Sequence, residues 1–461
     1  MATLSSSSFS AEPVLSIVWG CQEINQSVFD RWNQGFVFST DEPFALVQYE
    51  GGPCSIIAPI QAHIFKNMYK DFGDSWQKVT AGEADELLAV SLAEILCRCA
   101  GEGGSARLVV PESDPPSEGA EDGAQDGPGC RHSPGREASP GEGGRSPEER
   151  PAGLPSKRRR IEPAGFHSTL RLLELSTEAE VADFFRKNLP SYRAESGVLA
   201  FLYSLIQTKG AGRLRREMGD SEEALVDPVH GHGSQSLTNL LVTGRAVAHV
   251  WDNVKYVGGI ALEGVVSQPS VGFLTLLERL HYCTVGWNLK NPRYPVWVLA
   301  SETHLTVLFS PDGRLTAPPS ARQVAQRSFD ALDKDQAGFL PTSQLPELMA
   351  ACDLVAEEEY VDLMRRQLDP DQLGIVLKVP FLDEFFPETA DGRPPDSFTV
   401  YHYNGLTRSN PGGKVRLVKG DACLLETDVQ SSTANSTILT CLQSRWPRID
   451  VRWHGAAPSI N

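Results

Sequence analysis

"QYEGGPCSIIAPIQAHIFKNMY" (48–69) is the stretch on which the reading of the chain turns. Two glycines and a proline lead into a single cysteine, Cys54. Apolar residues then recur at Ile57, Ile60, Ile64 and Met68, the spacing of one helix face. The pattern predicts a helix that begins at or just after Cys54. A thiol at a helix N-terminus meets free N–H groups and the positive end of the helix dipole, which favour the thiolate and lower its pKa. Pro59 falls in the second turn, where it removes one hydrogen bond and bends the helix path. Gly51 and Gly52 let another backbone approach closely. The plainer alternative is a small residue at the mouth of a core helix, and this stretch alone leaves both open.

Papain-like cysteine hydrolases share the first design: a nucleophile at the start of a central helix, with an imidazole delivered from a distant strand. In that design Gln48, shortly upstream, supplies an amide to the oxyanion, a donor worth roughly 3 kcal/mol of transition-state stabilisation. Ten histidines compete for the base. His132 and His167 lie in or beside a compositionally biased segment. His63 is on the Cys54 helix, too near in sequence to turn back onto the thiol. His230 and His232 sit in "DPVHGHGSQS" (227–236), a glycine-rich turn before a helix, and His304 stands in a strand-like run. His304 is the favoured base and His232 the second choice. In the same glycine-rich turn, Ser234 and Gln235 are read either as contacts to substrate backbone or, for Ser234 or Ser236, as a helix N-cap.

The rest of the chain is read as α+β, with a helical part and an antiparallel sheet. "DELLAVSLAEILCRCAG" (85–101), "TEAEVADFFRKNL" (177–189), "GVLAFLYSLIQTKG" (197–210) and "SLTNLLVTGRAVAHVW" (236–251) have helical spacing. "YPVWVLASETHLTVLFS" (294–310) is β-branched and alternating, with a turn expected at "PDG" (311–313). Further strands are expected in "SFTVYHYNG" (397–405) and "KVRLVKGDACLLE" (414–426). The aromatics of 398–405 are read as core or as a contact for an apolar partner; Trp287, Trp297 and Trp446 are read as core. Residues 101–163 are rich in Gly, Pro, Ser, Glu and Arg and are expected to be a disordered insertion. It would split a catalytic domain into 1–100 and 164–325. Near its end, "KRRR" (157–160) is read as a nuclear import signal or a solvated charge run.

"FDALDKDQAGFLP" (329–341) and "RRQLDPDQLGIVLKV" (365–379) repeat D-x-D-x-x-G, as paired calcium loops do. Position 5 is Ala337 or Leu373 and position 12 is Gln344 or Pro380, so half the ligands are missing. Residues 326–388 are therefore expected to be a degenerate EF-hand-like helical segment without bound metal, and 389–461 to return as strands of the catalytic domain. The 461 residues carry a formal charge of −17, which excludes a nucleic-acid-binding surface for the chain as a whole. Nine cysteines without a repeating framework point to reduced thiols, and no cofactor is expected. The N-terminus lacks the pattern of a secretory signal, and no apolar run is long enough for a membrane span.

Several segments together resemble the MINDY family of cysteine-type deubiquitinases: "FVFSTDEPFALVQYEGGPCSIIAPIQAHI" (36–64), "DPVHGHGSQSLTNLLVTGRAVAHVWD" (227–252), "VGFLTLLERLHYCTVGWNLKNPRYPVWVLASETHLTVLFS" (271–310) and "SFTVYHYNGL" (397–406). The likeness spans about 14–100 and 166–461 and is strongest to the branch that carries an EF-hand-like segment. It implies an isopeptidase acting on ubiquitin and polyubiquitin, with preference for lysine-48-linked chains. It maps the nucleophile onto Cys54, the oxyanion glutamine onto Gln48 and the histidine onto His304. Gly51 and Gly52 would then form a slot for a substrate tail that ends in two glycines. Asn291 and Asp312 lie near His304 in sequence, but nothing assigns either as its orienting group. The branch is associated with the nucleus, with the cytoplasm as a second compartment. Two rivals remain: a catalytically silent ubiquitin-binding or apoptosis-linked scaffold, and a calcium-regulated adaptor acting through 329–386.

Overall fold

The computed structural model describes residues 6–9, 11–20, 23–111, 161–219, 223–316, 318, 320–333, 337–387, 395–425 and 436–461. The basic cluster at 157–160 and most of the expected insertion lie outside the described residues.

The N-terminal part is helical. Its centre is α1 (Cys54–Phe72), whose residues are all buried as far as Met68. Buried on every side, polar residues such as Gln61, His63 and Asn67 included, α1 is surrounded by α2 (Ala81–Ala100), α4 (Gly197–Lys209), α5 (Gln235–Thr243) and a sheet. Thr80 and Glu83 close a capping box at the start of α2, and Thr177 with Glu180 does the same for α3 (Glu178–Arg193). α5 stops at Gly244, whose φ of +80° ends the helix, so 245–251 does not continue it as the spacing of "SLTNLLVTGRAVAHVW" predicts.

Between α2 and α3 lies β1 (Ala106–Pro111), antiparallel to β2 (Leu170–Leu175), which also pairs with a short strand Ser6–Ser8. β1 falls inside the stretch 101–163 expected to lack structure. The reason is its apolar content. Leu108 and Val109 are fully buried, the N–H of Val109 donates to Ser204 Oγ (2.8 Å), and Tyr192 Oη donates to the Val109 carbonyl (3.1 Å).

The second layer is a six-stranded sheet of β3 (Gly272–Thr275), β4 (Val296–Ala300), β5 (Leu305–Phe309), β6 (Ser397–Tyr403), β7 (Val418–Leu424) and β8 (Ile449–Trp453), in the order β8-β7-β6-β5-β4-β3. All pairs are antiparallel except β3–β4. Every residue of β4 is buried because both faces are covered. Val296 and Val298 join the core around α1, whereas Trp297 and Leu299 pack on the opposite side with Ile438, Leu442 and Trp446. The run 294–310 is thus not one strand closed at 311–313. It is a hairpin that reverses within 301–304, where the Ser301 N–H donates to the His304 carbonyl (3.0 Å). The polar S-E-T before His304 was the turn signal.

Between β5 and β6 the chain forms two helix–loop–helix units, Ala321–Leu332 with Leu345–Ala351 and Glu358–Leu368 with Lys378–Phe385. They share a core of their own, including Phe329, Leu348, Met349, Met364 and Phe381. Their loops are joined by the two-stranded pair Phe339–Pro341 and Ile375–Leu377. In each loop the first aspartate accepts from two backbone N–H groups: Asp333 from Ala337 and Gly338, Asp369 from Leu373 and Gly374.

Candidate active site

Cys54 is the first residue of α1, preceded by Pro53 as N-cap. The turn before it is compressed. Gly52 has φ +128°, and a Cβ there would lie 2.8 Å from the Gly231 carbonyl and 3.0 Å from Trp32 Nε1. Trp32 Nε1 donates to that same carbonyl at 2.9 Å. Gly233 sits directly over Ser55, so close that a Cβ would fall on its hydroxyl. The 227–234 loop is therefore clamped across the start of α1, and the missing side chain of Gly52 serves this chain-to-chain contact. Gly51 is more open, with only Arg408 Nη2 at 3.5 Å from a built Cβ. Ser234 caps α5 by accepting from the Leu237 N–H (3.2 Å).

His304 arrives from the other side, at the hairpin end just before β5. Its backbone is fixed by Ser301, whose Oγ accepts from the His304 N–H at 3.1 Å. Its Nε2 lies 2.9 Å from Asn404 Oδ1, directly after β6. The orientation of that amide is set by two further bonds. Oδ1 accepts from the Leu406 N–H (3.0 Å), and Nδ2 donates to the Ser459 carbonyl (3.0 Å). Since Oδ1 can only accept, Nε2 of His304 carries the proton and Nδ1 is left with the free lone pair. Burial pulls the imidazole below its ordinary pKa, opposed by the Asn404 bond and aided by nearby Arg408 and His232. At neutral pH it is an uncharged base.

Asn404 was not singled out from sequence. Asn291 and Asp312, the sequence neighbours of His304, point elsewhere. Asn291 Oδ1 accepts from Arg445, and Asp312 pairs with Arg314. The 398–405 stretch is mainly buried strand rather than contact surface, with Val400 and Tyr403 inside the core. Only the N-G after that strand was visible as a signal, and it reads first as a turn.

Gln48 is tied to the same segment as Asn404. Its N–H donates to the Gly405 carbonyl (2.8 Å), and its carbonyl accepts from the Thr407 N–H (3.1 Å). Tyr403 Oη donates to the Leu46 carbonyl (2.6 Å). The side-chain amide of Gln48, however, donates to the Glu50 carbonyl at 2.6 Å. Cys54 Sγ likewise points back into the turn, to the Gly52 carbonyl at 3.7 Å, rather than to His304. The expectation of a thiol activated by its helix end is overturned. Burial pushes the Cys54 pKa up to about 11, outweighing the N–H groups of Leu305, Ser55 and Cys54 itself that favour the thiolate. Desolvation of a fully enclosed sulfur exceeds what one helix terminus supplies.

The structure thus brings Cys54, His304 and Gln48 into one neighbourhood: the sulfur faces the N–H of Leu305, the residue after His304, and Gln48 is held by the strand extension that carries Asn404. His232 lies on the loop above, near enough to disfavour a charged His304. His63 is buried in α1 against Arg98 Nη2 (2.9 Å).

The chain as a whole has relatives among known proteins. A family model described as "Deubiquitinating enzyme MINDY-3/4, conserved domain" matches residues 17–127 and 148–332. Ubiquitin carboxyl-terminal hydrolase MINDY-3 of Danio rerio is 41% identical over 97% of this chain and 98% of its own length. The Homo sapiens MINDY-3 is 40% identical over the same shares. A probable ubiquitin carboxyl-terminal hydrolase MINDY-4 of Xenopus tropicalis is 27% identical over 61% of this chain and 34% of its own. No solved structure matches significantly. With a matching family domain and relatives aligned from end to end, the chain belongs to the MINDY-3/4 family of deubiquitinating enzymes.

Proposed function

We propose that the chain is a thiol-dependent isopeptidase that removes ubiquitin from polyubiquitin, with lysine-48-linked chains as its preferred substrate. The observation that carries this reading is the meeting of Cys54 at the start of α1 with an Asn404-held, neutral His304 and a strand-anchored Gln48. His304 Nδ1 takes the thiol proton as Sγ attacks the carbonyl carbon of the terminal glycine of ubiquitin. The oxyanion is met by the Cys54 N–H and by the Gln48 amide once that amide leaves the Glu50 carbonyl. The imidazolium then protonates the departing lysine amine. Water, deprotonated by His304, hydrolyses the thioester and restores the thiol. Because the side chains of Gln48 and Cys54 both donate to carbonyls of the 50–53 turn, both have to leave those carbonyls before the chemistry begins.

The same reading extends to the architecture. The central helix with its nucleophile packed on an antiparallel sheet supports a papain-like catalytic domain, split by the insertion and completed by the C-terminal strands. The paired helix–loop–helix units fit an EF-hand-like segment, and their position-12 residues Gln344 and Pro380 argue against a calcium role. Nuclear residence, through "KRRR" at 157–160, is part of the proposal, and appending residues 150–163 to a cytoplasmic reporter tests it.

A silent ubiquitin-binding scaffold has one observation in its favour, the enclosed thiol with its raised pKa. A ubiquitin C-terminal electrophile separates the two. The hydrolase reading expects a covalent adduct that is absent from Cys54→Ala. Retained polyubiquitin binding with no adduct on the wild type would sink it.

A further inference from the structure

Away from the catalytic centre, a cleft of about 790 Å³ opens between the segments 251–268 and 284–292 and the Ala321–Leu332 helix. Its charge contrasts with that of the chain. Five basic side chains line it, Lys255, Lys290, Arg314, Arg327 and Arg445, against two acidic ones, Asp252 and Asp330, in a protein of net charge −17. Lys290 and Arg314 are neutralised from outside by Glu278 and Asp312. Of the two acids of the cleft, only Asp252 acts on one of the rest, by attracting Arg327 without forming an ion pair. Asp252 accepts from the N–H groups of Trp287 (2.7 Å) and Asn288 (3.1 Å), and Asp330 pairs with Lys378.

Three cations are left that form no ion pair among the described residues, and each is laid on an indole ring. Arg327 lies 3.8 Å from the Trp287 ring centre, Lys255 lies 5.1 Å from Trp251, and Arg445 lies 4.6 Å from Trp446 and 5.1 Å from Trp297. Cation–π contact offsets only part of the cost of withdrawing such a charge from water. Arg445 shows the deficit most clearly. Its two terminal nitrogens donate to neutral acceptors, Asn291 Oδ1 and the Leu315 carbonyl, and burial pulls its pKa down to about 9. Among the described residues, two buried N–H donors lining this cleft have no acceptor: Arg445 Nε and Trp251 Nε1. A cleft rich in positive charge and in unspent donors lacks one thing, an anionic acceptor. Its volume is that of an ordinary small-molecule site.

We propose that this cleft binds a small multivalent oxyanion, a phosphate- or carboxylate-bearing molecule held by Arg327, Lys255 and Arg445. The ligand would tie the Ala321–Leu332 helix, which carries Arg327, to the body that carries Trp287 and Arg445. Isothermal titration of the full chain with sodium pyrophosphate and with citrate, against sodium chloride at matched ionic strength, tests this. Saturable binding of at least one probe is expected, accompanied by a higher melting temperature. Binding to Arg327→Gln/Lys255→Gln should be at least tenfold weaker, with the ligand-free melting temperature and the rate of adduct formation unchanged. Tighter binding of pyrophosphate assigns a phosphorylated ligand, and tighter binding of citrate assigns a polycarboxylate. Heats that never saturate for either probe, or equal affinity in the double variant, would overturn the assignment.

Discussion

The helix side and the sheet side of the catalytic centre are built on different principles. Cys54 owes its place to a few adjacent residues: a glycine turn, a proline cap and the first turn of α1. His304 owes its place to partners distant in sequence, since Asn404, which holds its ring, follows by 100 residues. Local sequence therefore announces the proposed nucleophile, while the proposed base depends on the pairing of β5 with β6. The electrostatics reverse the expected roles. The helix end favours the thiolate, but enclosure outweighs it and raises the pKa, whereas the sheet side holds an imidazole already neutral and already oriented.

Removing the sheet side should give the largest effect. His304→Ala takes away the proposed general base and is expected to lower turnover by about 10²–10⁴-fold. Chain binding should persist, because the side chain is 5% exposed and offers little contact area. Pull-down with polyubiquitin and a timed cleavage assay read the two separately. Turnover equal to wild type would transfer the role to His232.

The helix side is probed by alkylation. With Cys54 raised to about 11 and His304 lowered, the resting pair is thiol and imidazole rather than thiolate and imidazolium. The thiolate fraction then grows as pH rises. The rate of Cys54 alkylation by iodoacetamide, followed by mass spectrometry, should climb roughly tenfold per pH unit between 6 and 8.5. A plateau across that range would mean a preformed thiolate–imidazolium pair and would contradict the raised Cys54 pKa.

What was legible follows the same division. The α+β class, α1, α2, the capped start of α5 and the place of Cys54 at a helix start could be read because each rests on short-range spacing, whereas Gln48 and His304 entered as candidates through the papain-like design and the family resemblance. The 301–304 reversal and β1 were missed because a polar S-E-T and a short apolar run are weak local signals, strengthened by pairing with strands elsewhere. The raised pKa of Cys54 was invisible for a related reason: burial depends on what the 227–234 loop and β5 place over the sulfur. Asn404 carries no local mark that separates it from any other turn asparagine.

Asn404→Ala should give a smaller loss than His304→Ala. It deletes a hydrogen bond to a group that becomes charged during turnover, a contact worth about 1.5–3 kcal/mol, or roughly ten- to a hundredfold in rate. A positioning role predicts that the loss falls on kcat rather than KM. Asn404→Asp should recover part of the rate and move the acidic limb of the pH profile upward, because a carboxylate favours the imidazolium. A variant that merely loosens the fold would shift neither limb.

The finest test compares two adjacent glycines on the helix side. Gly52 has positive φ and no room for a Cβ beside the Gly231 carbonyl and Trp32 Nε1. Gly51 has no positive φ and meets only the end of the flexible Arg408 side chain. Gly52→Ala should therefore destabilise the protein by about 1–3 kcal/mol and lower its melting temperature by a few degrees. Gly51→Ala should leave melting unchanged. If the open side of Gly51 receives the glycine tail of ubiquitin, its cost will appear instead as weaker substrate binding. Equal melting for both variants would mean that the 227–234 loop does not clamp the start of α1. The enclosure that raises the Cys54 pKa would then need another source.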